Sequence, residues 1–194
     1  MTAPSAPQLI RAGLWRWIPT AGLERFEFLQ SAEGWTLRGA IVTLAGGEPA
    51  EARYEILCDL SWNTRHADIQ VRDSRGERNL RVTKENGRWY ENGQINSKLD
   101  GCDDIDLEWS PSTNTIPVRR LRMPVGQASG LLTAAWVRFP SLTVETLPQE
   151  YRRVAEQQYV YSSHNGSFVA EVVLDDQGLV LDYQGFWHRV MPHS

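Results

Sequence analysis

Lysine is nearly missing from this chain. Of its twenty basic residues only Lys84 and Lys98 are lysine, and the other eighteen are arginine. A compositional bias of the coding source is the main explanation, although arginine's planar fork also suits bidentate contact with carboxylate or phosphate. Cysteine is scarce too. Cys58 and Cys102 are too few for a disulfide-stapled secreted domain and match no zinc spacing, so two reduced, largely buried thiols are expected. Met1 to Gln8 hold no basic stretch followed by an apolar run, and no apolar stretch approaches membrane-spanning length. These absences predict a cytoplasmic protein without a transmembrane segment. Positive charge is not in excess either. A net charge of -4 leaves no surplus for phosphates, which argues against a nucleic-acid partner.

Catalytic and cofactor signatures are equally sparse. His66, His164, His188 and His193 stand apart, without the Glu-x-x-His or His-x-x-x-His spacing that would hold a metal. There is no Gly-x-Ser-x-Gly elbow, no phosphate loop and no dinucleotide fingerprint. No metal, cofactor or catalytic residue is assigned on this reading.

What the chain has is tryptophan and alternation. Eight tryptophans (15, 17, 35, 62, 89, 109, 136 and 187) are unusual at 194 residues, and they either fill a thick core or line a concave ligand surface. The length fits one domain over 1–194, with ends 1–9 and 191–194 expected to be loose. Short alternating segments separated by turn chemistry predict a mainly β protein. Strands are expected at Phe26–Gln30, Trp35–Leu44, Arg53–Leu60, Asp68–Arg72 and Asn79–Thr83. In Arg53–Leu60, Tyr54, Ile56 and Cys58 share one face and Leu57 takes the other. Asn86-Gly87 and Asn92-Gly93 are hairpin dipeptides, because both residues tolerate the positive φ of tight turns. A three-strand meander follows at Tyr159–Ser163, Ser167–Leu174 and Leu179–Tyr183, with a last strand at Trp187–Val190.

Helix candidates are two. One starts with Thr115 as N-cap and Pro117 in its first turn, and stops at Pro124. The other is Leu147–Gln158, where Leu147, Tyr151, Val154 and Ala155 fall at helical spacing, although Tyr151, Arg153 and Ala155 also fit a strand.

The densest chemistry lies between Leu99 and Met123. As a strand, this stretch sends Asp104, Asp106 and Glu108 to one face and Ile105, Leu107 and Trp109 to the other. Arg119, Arg120 and Arg122 follow within short reach. Adjacent helical positions point about 100° apart, so solvent cannot serve both Arg119 and Arg120 if a sheet encloses the helix. Asp104 and Asp106 are then their natural partners, either as a structural ion network or as the polar border of a pocket. Paired carboxylates also equip glycosidases, but neighbouring arginines would hold both below the range of an acid catalyst, which makes catalysis the weaker reading.

Leu99-Asp100-Gly101-Cys102, Asp104-x-Asp106-Leu107, Ser110-Pro111 and Asn114-Thr115-x-Pro117-x-Arg119-Arg120-Leu121 together resemble the signature of the glycolipid-binding family of bacterial proteins. The ending Gly178-Leu179-Val180-Leu181-Asp182-Tyr183, with Gly185 and Trp187, is similar to that family's ending. The resemblance implies a many-stranded, mostly antiparallel spiral β-roll around a single helix at about 116–123, similar to the half-barrels of lipoprotein carriers. It also implies that Leu147–Gln158 is largely strand.

The expected function is non-enzymatic binding of a small amphipathic ligand, a glycolipid or fatty-acyl conjugate. The concave side would hold its apolar part through tryptophans and aliphatics, while Asp104, Asp106, Trp109, Asn114, Arg119 and Arg120 are the candidate binding residues. The alternatives are a glycan- or glycolipid-acting hydrolase using Asp104 and Asp106, and a structural protein that forms a homodimer along an open sheet edge.

Overall fold

The computed structural model describes residues 6–190. Fifteen strands account for most of the chain: β1 (Gln8–Trp17), β2 (Gly22–Gln30), β3 (Gly34–Ala45), β4 (Glu48–Asp59), β5 (Thr64–Asp73), β6 (Gly76–Glu85), β7 (Arg88–Glu91), β8 (Gln94–Ile95), β9 (Asp104–Leu107), β10 (Leu132–Val137), β11 (Val144–Arg153), β12 (Gln158–Ser163), β13 (Phe168–Leu174), β14 (Val180–Tyr183) and β15 (Trp187–Val190). The only α-helix among the described residues is α1 (Thr115–Leu121), preceded by a single 3-10 turn at Pro111–Asn114.

All fifteen strands form one sheet. It is two meanders joined at a seam: β1 to β8 run outward in sequence order, β15 back to β9 run outward the other way, and β1 pairs with β15 where they meet. Every pairing is antiparallel except β9 with β10. Turn chemistry sets the meander. Asn86 and Asn92 sit at φ 50°, followed by Gly87 at 77° and Gly93 at 81°, the geometry that Asn-Gly hairpins supply.

The two ends of the sheet manage their edges within the chain. β8 is only two residues long. At the other end, Thr64 Oγ1 on β5 accepts from the Ile105 backbone N–H, and Lys84 Nζ on β6 donates to the carbonyls of Cys102 and Asp103 at 2.8 Å each. The β9 end therefore lies against β5 and β6, and the sheet folds back over itself.

The segment from Ser110 through α1 is enclosed by this arrangement. Pro111 through Val118 are buried throughout. Trp15, Trp62, Trp89 and Trp109 are among the largest fully buried side chains, so they are core. Two of them place their indole donor on a carbonyl, Trp15 on Val180 at 2.8 Å and Trp89 on Cys102 at 3.2 Å. Tyr54, Ile56 and Cys58 face the core and Leu57 faces out, as alternation requires. Cys58 and Cys102 are both free and buried.

Three expectations need correction. β1 begins at Gln8 and pairs Gln8 and Leu9 with Gln30 and Leu29, so residues 8 and 9 are not a loose end; 191–194 lie outside the described residues. The helix is Thr115–Leu121 rather than 116–123, because Arg122 turns left-handed at φ 46°, ψ 42° and ends it. Thr115 is the first helical residue, not the cap, and its hydroxyl donates to Gly178 O at 2.9 Å. Over 147–158 the open alternative resolves as the resemblance implied: 147–153 belong to strand β11, and 154–157 connect it to β12. The backbone groups of β11 pair with β10 on one side and β12 on the other, and Leu147, Gln149 and Tyr151 alternate into the interior.

Gly34 opens β3 against the backbone of β4. A Cβ there would stand 2.0 Å from the Cys58 carbonyl oxygen, and backbone cannot swing aside. Gly34→Ala is expected to cost about 3 kcal/mol or more, read as a lower urea midpoint at unchanged m-value.

Candidate functional site

β9 presents its carboxylates on one face, as the alternation requires, yet the two meet different surroundings. Asp104 is sealed, and Arg120 grips it through two bonds, Nε to Oδ1 at 3.0 Å and Nη2 to Oδ2 at 2.6 Å. Burial raises the Asp104 carboxyl, and the guanidinium bonds offset part of that rise. Arg119, one position earlier on α1, points elsewhere. Its guanidinium lies over the stacked rings of Trp35 and Trp62, 5.5 and 5.4 Å from their centroids. The expected four-residue ion network is therefore one ion pair, because the turn of the helix carries Arg119 away from β9.

Asp106 receives no arginine. It accepts a hydrogen bond from Thr113 Oγ1 at 2.7 Å, and that oxygen accepts in turn from the Leu107 N–H at 3.2 Å. Burial pushes the Asp106 carboxyl up to about 6, with Glu108 and Asp104 adding repulsion. The expectation that arginines would depress it is overturned: the guanidinium that could have done so is committed to Asp104.

Asp106 lines a cavity of about 310 Å³ at the N-terminal end of the enclosed helical segment. Glu108, Ser110 and Asn114 contribute to the same side, and Asn114 Nδ2 donates to the Tyr151 hydroxyl at 2.8 Å. The opposite side is aromatic. Tyr161 from β12, Phe168 from β13, and Tyr183 and Phe186 around the turn after β14 meet edge to face or tilted, with centroids 5.3 to 6.0 Å apart. His164 and Trp187 complete that wall.

Of the six candidates, the structure brings Asp106 and Asn114 to this cavity and leaves the other four away from it. Asp104 and Arg120 are paired, Arg119 borders a second cavity, and Trp109 is core, 5.6 Å from Phe139 with its indole nitrogen unpartnered. Of the two uses open to the tryptophans, Trp15, Trp62, Trp89 and Trp109 fill the core, whereas Trp136 and Trp187 line the cavity. Sequence reasoning missed the aromatic wall, although Tyr159, Tyr161, Phe168, Tyr183, Phe186 and Trp187 crowd one short meander and could have signalled it.

It also missed Glu24. This residue shares the inner face of β2 with Phe26 and Phe28, a charge on an otherwise apolar stripe, and is completely buried. Tyr54 Oη donates to Glu24 Oε1 at 2.5 Å and Ser110 Oγ donates to it at 2.8 Å, while Oε2 has no partner. Burial pushes this carboxyl up to about 8, and the two hydrogen bonds only partly counter it. Glu24 is thus mainly a neutral acid at pH 7, tied through Ser110 to the segment that borders the cavity. Among the described residues, no group of three or more histidine, cysteine or acidic side chains is placed to hold a metal ion, and no helix is long and apolar enough to cross a membrane.

Fold and site together define a single-sheet, mainly β protein with an aromatic-walled cavity beside a buried helical segment. The chain belongs to the family described as "Putative glycolipid-binding", which matches residues 13–189. A crystal structure of a DUF1089 family protein from Pseudomonas aeruginosa is similar to it, with 32% identity, a TM-score of 0.81, and coverage of 93% of this chain and 97% of that one. No curated protein matches the chain.

Two measurements probe the buried polar groups. Glu24 titrates at 4.5 when unfolded and about 8 when folded, so its contribution to stability is full below pH 4.5 and is lost as pH rises toward 8. Glu24→Gln is expected to flatten the decline in unfolding free energy across that window, as seen in urea titrations at several pH values. Arg120→Met strands the Asp104 carboxylate and is expected to cost about 3–5 kcal/mol, whereas Asp104→Leu with Arg120→Met recovers most of that loss in the same assay.

Proposed function

We propose that the protein binds the sugar-bearing headgroup of a glycolipid or fatty-acyl conjugate in the cavity beside Asp106, without altering it chemically. The observation that carries this reading is the cavity's two-sidedness: aromatic side chains on one wall, and on the other a carboxyl that no arginine pairs, Asp106. Aromatic rings pack on the C–H faces of a sugar, and a carboxylate accepts its hydroxyls through charge-assisted hydrogen bonds. The family's description supports the same ligand class.

The volume limits the reading. About 310 Å³ is at the lower end of small-molecule sites and suits a headgroup rather than whole acyl chains. The tail would run out over the half-exposed rim at Phe186. Two free, buried thiols support a reducing compartment, and on that basis we place the protein in the cytoplasm.

A hydrolase reading moves from the Asp104–Asp106 pair to Asp106 and Glu108. Asp104 is sealed by Arg120, whereas Asp106 and Glu108 border the same cavity. What favours it is Asp106 itself, whose raised pKa of about 6 suits a general acid. Against it, Glu108 is held by Arg138 at 3.2 Å and by the Phe139 N–H at 2.7 Å, which ties up the carboxylate needed as base or nucleophile.

Octyl β-glucoside, glucose and octanol separate these readings by calorimetry and product analysis. The glucoside is expected to bind saturably and to remain intact, and octanol is expected not to bind. Affinity should fall as pH drops through about 6, where Asp106 takes a proton. Asp106→Asn should weaken binding roughly tenfold and remove that pH dependence. Released glucose would favour the hydrolase, and no saturable binding of glucoside or glucose would sink both readings.

A further inference from the structure

A second cavity of about 560 Å³ opens at the other end of α1, and three guanidinium groups converge on it: Arg119, Arg122 and Arg153. None of the three forms a salt bridge with a carboxylate among the described residues, in a chain whose other arginines are largely paired. Arg119 is held in place by the two tryptophan faces beneath it and by Gly178, where an added Cβ would press on its side chain at 3.1 Å. Arg153 donates to backbone oxygens only, through Nη1 to Met123 O at 2.8 Å and through Nε at 3.1 Å and Nη2 at 2.5 Å to Glu156 O, which leaves the second proton of each Nη for a ligand. Arg122 projects exposed from the left-handed position that ends α1.

The acids on the same wall are already committed. Asp175 takes Arg189 Nη1 at 2.6 Å and the N–H groups of Gln177 and Leu179 at 2.9 Å each. Asp176 takes Arg11 Nη2 at 3.3 Å. Glu156 is the wall carboxylate left without a guanidinium among the described residues. Burial and the nearby Arg122 charge work against the Arg119 cation, Asp175 and Asp176 offset part of that, and an incoming anion would relieve the remainder.

We propose that this cavity binds an oxyanion, a phosphate or phosphate monoester group, between Arg119, Arg122 and Arg153. Three guanidinium groups from separate chain positions on one cavity suit an oxyanion with several acceptor oxygens. Lying at the opposite end of α1 from the aromatic cavity, the site stands or falls separately from the headgroup reading.

Isothermal titration of the full chain with inorganic phosphate and with monomeric dihexanoyl phosphatidate tests it. Saturable binding that weakens with added salt is expected, with a loss of about tenfold in Arg122→Ala and in Arg119→Met. Arg119→Met keeps an unbranched side chain over the tryptophans, and thermal melts report whether each variant folds. Because Arg122 is exposed, its variant keeps the test decisive if Arg119→Met is destabilised. Equal affinity for the two probes supports recognition of the free phosphate group, and tighter phosphatidate binding supports a lipid headgroup as its source. Failure of both probes to bind at millimolar concentration overturns the proposal, as does binding unchanged in a folded Arg122→Ala.

Discussion

The polar anchoring of the segment from Ser110 to Leu121 is the constraint on which the rest of the structure depends. A single sheet of fifteen strands has two faces, and one must be covered from within the chain. Four contacts position the segment that covers it: Ser110 on Glu24 of β2, Asn114 on Tyr151 of β11, Thr115 on Gly178 before β14, and Arg120 on Asp104 of β9. They reach both meanders, so the segment ties the two halves of the sheet together. The first three contacts are buried and Arg120 partly so; losing a neutral partner strands a polar group at about 1–3 kcal/mol, and losing Arg120 costs more because a charge is stranded. The segment's position is therefore dictated by polar satisfaction, while its stability comes from Ile116 and Val118 packed in the core.

The same segment explains why there are cavities at both of its ends. Seven residues of α-helix extend about 10 Å and the preceding 3-10 turn about 8 Å more. The twelve-residue strands β3 and β4 extend about 40 Å. A plug that short cannot fill the length of such strands. Large tryptophans occupy the middle, and space remains at either end, where the nearest side chains give it its chemistry: tyrosine and phenylalanine at one end, arginine at the other.

Much of this was legible in the sequence, for a physical reason. Period-two alternation survives in β2 to β6 and β12 to β15 because those strands have one inner and one outer face, and the Asn-Gly turns between β6 and β8 name their own geometry. β1 was missed because its alternation slips at the irregularity between Leu9 and Arg11 and few of its residues are buried. Residues 147–158 carry helical spacing locally, and only the presence of β10 and β12 on either side makes 147–153 strand. The aromatic wall and Glu24 were less legible, since each depends on which sheet face meets the helical segment, a long-range fact. The charged motif was visible as a cluster, but its pairing turned on the rotation between two consecutive residues.

That rotation separates the motif into parts with different chemistry. Arg120 faces β9 and pairs with Asp104, which pins the helix to that strand. Arg119 faces the tryptophans, so no arginine pairs with Asp106, and burial is the largest influence on its carboxyl. A carboxyl in that state, held by the Thr113 hydroxyl with aromatic rings opposite, keeps acceptor capacity toward the cavity. Had Arg119 turned toward β9, Asp106 would have been paired and the cavity would have lost its only unpaired carboxyl. A carboxyl without an arginine at one end of the helix and arginine without a carboxylate at the other are thus two consequences of one helical geometry.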